Sequence, residues 1–226
     1  MKVQKELEIE KIKKEESDKV RKQTAIDFHD DLGHRLTRIS LLAEIIRRKL
    51  KFAFSEITPL LDQITENSAK LYDGTKDFIW AIDPKKDSLY ELMIRLKDFG
   101  DEIFNDTNVK FWANEPDENL LSTRIDMEWK RHLMLIFKEG MNNSVKHSNS
   151  TLVILDTKLN RDEFEILLED NGKGFRIDDV KPGNGIKNMK QRADQLHLNL
   201  NVESEPGRGT KITIKGKFPV KSLNFN

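Results

Sequence analysis

The 226-residue chain has no cysteine, which removes disulfides, thiol catalysis and cysteine-ligated zinc together and suits a reducing cytoplasm. It has no net charge either, because 39 basic and 39 acidic residues cancel. No bulk field therefore draws it to nucleic acid or to an anionic membrane, and its partners must be chosen by local shape and chemistry. No apolar run approaches the roughly 20 residues that a membrane helix needs, and the N-terminus is rich in Lys and Glu rather than built as a signal peptide. These absences predict a soluble, cytoplasmic segment with no membrane contact of its own. The five histidines are scattered without metal-ligand spacing, and neither an internal repeat nor a low-complexity tract is present. What remains is enough chain for one large domain or two modest ones, each able to bury a core.

Two different periods divide that length. From Ala25, apolar or small residues recur at Phe28, Leu32, Leu36, Ile39, Ala43, Ile46 and Leu50, the three-and-four step of a helix facing a bundle. The pattern resumes in heptad spacing at Ile57, Leu61, Ile64, Ser68, Leu71, Thr75, Phe78 and Ile82. This predicts a helical hairpin over 24–84, with its turn between about Lys51 and Pro59, Thr58 as the cap of the second helix and Pro59 in its first turn. Two helices cannot enclose a core alone, so the hairpin is expected to form a dimeric four-helix bundle with a second copy. Residues 1–23 are highly charged and predict a helical extension, either a loose coiled coil or a solvated charged helix. Pro84 disfavours helical backbone at Asp83, and 85–88 serve as a linker.

Residues 89–220 mix the two periods. Helices are expected near Leu89 to Phe104, Met127 to His147 and Gly185 to Leu196. Strands are expected at Val109 to Ala113, Thr151 to Leu159, Glu163 to Glu169, Leu198 to Ser204 and Thr210 to Phe218. The second domain is then an α/β sandwich, and the chain as a whole is of the α+β class.

Several strings carry chemistry. In Phe28-His29-Asp30-Asp31-Leu32-Gly33-His34, His29 follows an apolar-stripe residue by one position, which turns it about 100° to the flank of the bundle. Asp30 beside it could take a proton from one ring nitrogen and leave the other as nucleophile. His34 lies four residues after Asp30, on the same helical face, an arrangement suited to holding a water for phosphoryl hydrolysis. Downstream, Glu139 and Asn143 share a helix face with Lys146 one turn further on, a sensible set for hydrated magnesium and phosphate. Asp170 closes an apolar strand, where it could accept from the amine of adenine, and Gly172 and Gly174 let the backbone turn close to a ligand. Gly183 and Gly185 precede a helix whose N-terminus could meet phosphate, and Gly207-Arg208-Gly209-Thr210 joins two strands. A solvated helix face or a plain turn would account for each string alone, but their order along one chain points to an enzyme that phosphorylates itself.

Taken together, the helix with Glu139 and Asn143, the loop Asp170-Asn171-Gly172-Lys173-Gly174-Phe175, the Gly183-Asn184-Gly185 turn and the late Gly207-Arg208-Gly209-Thr210 resemble the ATP-binding domain shared by histidine kinases, gyrase-type ATPases and the serine kinases that phosphorylate anti-sigma antagonists, the last being the alternative that a phosphoacceptor histidine on a hairpin argues against. With the preceding hairpin, about Val20 to Phe218 is similar to a sensor histidine kinase of a two-component system, in the subfamily whose response regulators carry a helix-turn-helix output domain. The resemblance implies ATP and Mg2+ as cofactors, a homodimer, and a receiver domain as partner. It also implies that His29 is the phosphoacceptor, with Asp30 its base and Asp30 with His34 a phosphatase pair. By the same resemblance Asn143 holds magnesium, Asp170 reads adenine, Lys146 and His147 lie near the phosphates, and Gly172, Gly174, Gly183, Gly185 and Thr210 belong to the pocket. Glu139 matches an acidic position that is either base or orienter. Only Phe175 to Pro182 separates the glycine loops, so the lid is expected to be short.

Overall fold

The computed structural model describes residues 2–49, 57–160, 163–176 and 184–217, and the chain divides into two compact units, Met1–Lys86 and Asp87–Asn226. The first unit consists of α1 (Lys2–Lys49), α2 (Ile57–Ile82) and a short 3-10 turn, Pro84–Lys86. α1 runs unbroken for 48 residues, because nothing in it stops a helix: it contains no proline, and its single glycine, Gly33, is a modest cost. The charged extension and the histidine-bearing stretch are therefore one helix. α2 starts at Ile57, so Thr58 sits inside the first turn rather than capping it. Pro59 is tolerated there because first-turn N–H groups have no intrahelical acceptor. Of the expected turn, about Lys51 to Pro59, residues 57–59 are already helical and residues 51–56 lie outside the described residues.

Within the hairpin the alternating stripe is only half covered. Leu36, Ala43, Leu61 and Ser68 are buried, while Ile39, Ile46, Ile64 and Leu71, on the same predicted stripes, stay exposed. Arg21 of α1 donates from Nε to the carbonyl of Ile82 at 3.1 Å, satisfying one of the acceptors that the last turn of α2 leaves open. Further along α1, hydrogen bonds from Arg47 and Arg48 pull the Glu44 carboxyl down to a pKa of about 2.

The second unit is built from α3 (Leu89–Phe104), β1 (Lys110–Ala113), α4 (Met127–Asn143), β2 (Leu152–Asn160), β3 (Glu163–Asp170), α5 (Asn184–Gln195), β4 (Asn199–Ser204) and β5 (Thr210–Lys217). Its five strands lie in the order β1-β2-β3-β5-β4, with β1 and β2 parallel and the other neighbours antiparallel. Period-two patterning puts Val153, Leu155, Phe164, Ile166, Leu168, Ile212 and Ile214 on one buried face. That face packs against the helices, whose own buried stripes include Leu92 and Leu96 of α3, Leu133, Ile136 and Phe137 of α4, and Met189 and Ala193 of α5. The result is the α/β sandwich. α4 lies so close to the sheet that a Cβ on Gly140 would come within 2.7 Å of Ile212 and Leu168. Asp126 caps α4 by accepting from Trp129 N at 2.9 Å, and Ser88 caps α3 by accepting from Glu91 N at 3.2 Å.

Two local outcomes differ from the periodicity. The helix expected to run to His147 leaves α geometry at Asn143 and continues as a π-helical turn, Ser144–Ser148, closed by Asn149 at a φ of 53°. Residues 87 and 88 are built into the second unit. Asp87 pairs with buried Lys130, Ile125 N donates to the Asp87 carbonyl at 3.3 Å, and Leu89 N to that of Thr123 at 2.9 Å.

Candidate functional site

Asp170 is the last residue of β3, at the point where the strand stops pairing and the chain turns, and its carboxylate is buried. Such a group needs partners. Oδ1 accepts from Gly172 N at 2.9 Å and Oδ2 from Ser144 Oγ at 3.0 Å. The first bond comes from the turn itself. The second comes from the first residue of the π-helical turn, a recurrent feature of functional sites. Each carboxylate oxygen keeps a lone pair beyond the one so used.

The carboxylate lines a cavity of about 460 Å³. Glu139, Gly140, Asn143, Ser144, His147 and Ser148 form one wall, Leu168, Ile212, Val202 and Met189 supply apolar surface, and Lys173, Gly174, Phe175, Gly185, Ile186 and Thr210 complete the rim. A flat apolar group with one polar edge could enter toward Asp170, and an anionic tail could extend toward the Glu139 and Asn143 side only with a cation between them. Asn143 Nδ2 lies 3.5 Å from Glu139 Oε1, which leaves the amide oxygen of Asn143 outside that contact. A carboxylate and an amide oxygen one helical turn apart suit a magnesium ion that keeps its waters and takes phosphate oxygens.

The acidic loop is held against the β4–β5 turn by backbone approach. Gly174 has a φ of 58° and Gly209 a φ of 74°, and a Cβ on either would collide with a carbonyl oxygen, Glu205 for the first and Asp170 for the second. Gly207 N donates to the Lys173 carbonyl at 2.6 Å, and Lys173 N to the Ser148 carbonyl at 2.7 Å. Asn171, the second letter of the loop motif, faces another task. Its Oδ1 accepts from Thr151 N and Leu152 N, both at 2.9 Å, and so fixes the start of β2.

Of the residues picked out from the sequence, Glu139, Asn143, His147, Asp170, Gly174, Gly185 and Thr210 meet around this one cavity. Gly172 is buried beneath it, bonded to Asp170. Lys146 is exposed and does not line the cavity, because in the π-helical turn it is Ser144, His147 and Ser148 that face it. Gly183 lies outside the described residues. The backbone of His29, Asp30 and His34 is part of α1, while their side chains lie outside the described residues. Ser144, Ser148, Lys173 and Phe175 were not singled out as site residues. Only the four-residue step from Gly140 to Ser144 to Ser148, small residues down one helix face, could have drawn notice.

A two-layer domain with a carboxylate at a strand end, glycine-shaped loops and an acid–amide pair on the facing helix defines a nucleotide-binding ATPase domain preceded by a helical hairpin. Residues 20–87 match the family described as "Histidine kinase", and residues 130–221 the family described as "Histidine kinase-, DNA gyrase B-, and HSP90-like ATPase". The two matches together span most of residues 20–221 and show that the chain carries the catalytic core of a sensor histidine kinase. It is 29% identical over 207 residues to the sensor protein VraS of Staphylococcus saprophyticus, which covers 90% of this chain and 57% of that protein. The identity to VraS of Staphylococcus aureus (strain COL) is 25% over 216 residues, 86% of this chain and 54% of the relative. The chain thus spans little more than half the length of these curated relatives. Its fold is similar to the histidine kinase domain of the Erythrobacter litoralis EL346 blue-light activated histidine kinase, with a TM-score of 0.52 at 16% identity, over 84% of this chain and 96% of that one. Among the described residues no helix is long and apolar enough to cross a membrane.

Proposed function

We propose that the chain is an ATP-dependent histidine autokinase that transfers the γ-phosphoryl group of ATP to His29 and from there to an aspartate on a response-regulator receiver domain. The observation that carries this reading is the Asp170 carboxylate, held by Ser144 and Gly172 at the wall of a cavity in a chain that also carries His29 on a dimerisation-type hairpin. Asp170 accepts from the adenine amine, and the apolar surface of Leu168, Ile212 and Met189 takes the ring. Asn143, with Glu139 one turn away, would hold Mg2+, which when bound would neutralise charge on the phosphates. The His29 ring nitrogen attacks the γ-phosphorus as the bond to the ADP oxygen breaks, and Asp30 takes the proton from the other ring nitrogen. Asp30 and His34 then serve dephosphorylation of the regulator by orienting a water.

Homodimerisation covers the apolar stripe of Ile39, Ile46, Ile64 and Leu71, which the hairpin of one chain leaves exposed. The activity belongs in the cytoplasm, where ATP and receiver proteins with helix-turn-helix output domains are found. Purified protein incubated with magnesium and γ-labelled ATP is expected to acquire an acid-labile, alkali-stable label that His29→Gln abolishes. Nucleotide binding with no label on the parent chain would favour a non-catalytic nucleotide-binding switch instead.

A further inference from the structure

β4 is an edge strand and ends at Ser204, where one hydroxyl meets partners from two other segments of the chain. Phe175 N donates to Ser204 Oγ at 3.0 Å, Ser204 Oγ donates to the Gly209 carbonyl at 2.8 Å, and Thr210 Oγ1 lies 3.2 Å away. A serine hydroxyl has one proton and two lone pairs. A carbonyl can only accept and an N–H can only donate, so the proton goes to Gly209 and one lone pair to Phe175. The second lone pair is left for the hydroxyl proton of Thr210. That assignment leaves Thr210 Oγ1 with nothing but lone pairs to offer elsewhere.

Phe175 and Thr210 both line the cavity, Ser204 does not, and Thr210 stands opposite Asp170 in the β3–β5 pairing. We infer that Ser204 is a positioning residue for base recognition: it holds Thr210 as a hydrogen-bond acceptor toward the cavity and pins Phe175 at the wall. The inference rests on the reading of the cavity as an ATP site. Asp170 and Thr210 then present acceptors side by side, which suits the exocyclic amine of adenine and disfavours the carbonyl oxygen that guanine carries at the same ring position. The turn does not depend on this hydroxyl alone, because Gly207 N to the Lys173 carbonyl joins the same two segments independently.

The test compares the full 226-residue chain with Ser204→Ala and Ser204→Thr, by calorimetric titration with AMP-PNP and GMP-PNP in the presence of magnesium and by thermal unfolding without nucleotide. Ser204→Ala is expected to weaken AMP-PNP binding by about five- to ten-fold and to narrow the preference over GMP-PNP. Ser204→Thr is expected to restore both, and the unfolding temperatures of all three to agree closely. Unchanged affinity in Ser204→Ala, or an equal loss for both nucleotides, overturns the inference. If the parent chain binds neither nucleotide, it is the reading of the cavity as an ATP site that fails, and the inference falls with it.

Discussion

Lys130 Nζ lies 2.8 Å from Asp87 Oδ1, and the lysine side chain is wholly withdrawn from solvent while the aspartate keeps a small exposed fraction. A buried ammonium that loses its counter-charge is costly, whereas a carboxylate near the surface can still be hydrated. Asp87→Ala is therefore expected to destabilise the second unit by about 3–5 kcal/mol, and Lys130→Met, which fills the same space without charge, by clearly less. Denaturant titration of both variants checks this, and equal losses would contradict it.

The glycines of the β4–β5 turn separate two costs. Gly207 has a φ of 83° with open space where a Cβ would go, while Gly209 combines a φ of 74° with a Cβ position against the Asp170 carbonyl. Gly207→Ala is expected to cost only the left-handed penalty of about 1–2 kcal/mol. Gly209→Ala is expected to cost more and also to weaken nucleotide binding, because relief of the clash must displace Asp170 or Thr210. Chemical unfolding and nucleotide titration on the same samples test both.

Asp170→Asn replaces one acceptor oxygen by a donor in an almost isosteric side chain. Loss of a matched polar contact at a buried site typically costs at least about tenfold in affinity. ATP binding is expected to fall by that much or more while the unfolding temperature changes little, because Ser144 Oγ also lies 3.2 Å from the Gly140 carbonyl and can turn its proton there to accept from the new amide. Binding retained at parental strength would show that Asp170 does not read the base.

Burial, and then the positive charge of Arg192, hold His132 of α4 below the ordinary histidine value of 6.5, and its Nδ1 is buried with no hydrogen-bond partner among the described residues. The unfolded chain thus binds more protons than the folded one once the pH falls below about 6.5. The stability contributed by the neutral ring is complete above that value and is lost as the pH falls through the lowered folded-state pKa. Thermal unfolding between pH 5 and 8 is expected to show this loss in the parent chain, and His132→Gln is expected to flatten it.

Ile64→Glu and Leu71→Glu place charge on the exposed stripe of α2. If that stripe is the dimer seam, sedimentation should show a shift toward monomer with little change in nucleotide binding, since the cavity lies entirely within the second unit.

Most elements were legible from the sequence, for reasons specific to each. α3 is bounded by the Ser88 cap and an amphipathic stripe, and β2, β3 and β5 alternate with the period of two that a one-sided sheet demands. The start of α2 was displaced because a proline near a helix start marks only the first turn and not the first residue. The π-helical turn left no periodic trace, since it inserts a single wide turn into an otherwise helical pattern. The pocket's glycines and carboxylate stood out through their spacing, but Ser144 and Ser204 did not. A serine in a helix or at a strand end is unremarkable until its partner, 26 residues away for Ser144 and Asp170 or 29 for Ser204 and Phe175, is brought beside it.

Hydrophobic periodicity and turn chemistry are local, so the sequence by itself determined the helical hairpin, the strand and helix content of the second unit and the identity of the acidic loop. Hydrogen-bond polarity and charge pairing are not local. That Lys130 is neutralised by Asp87 and that Ser144 holds Asp170 were decided only when packing the helices onto the sheet removed water from those groups and left each to find its partner within the protein, while the π-helical turn set Lys146 outside the cavity and His147 along it, and strand pairing brought Ser204 beside Thr210.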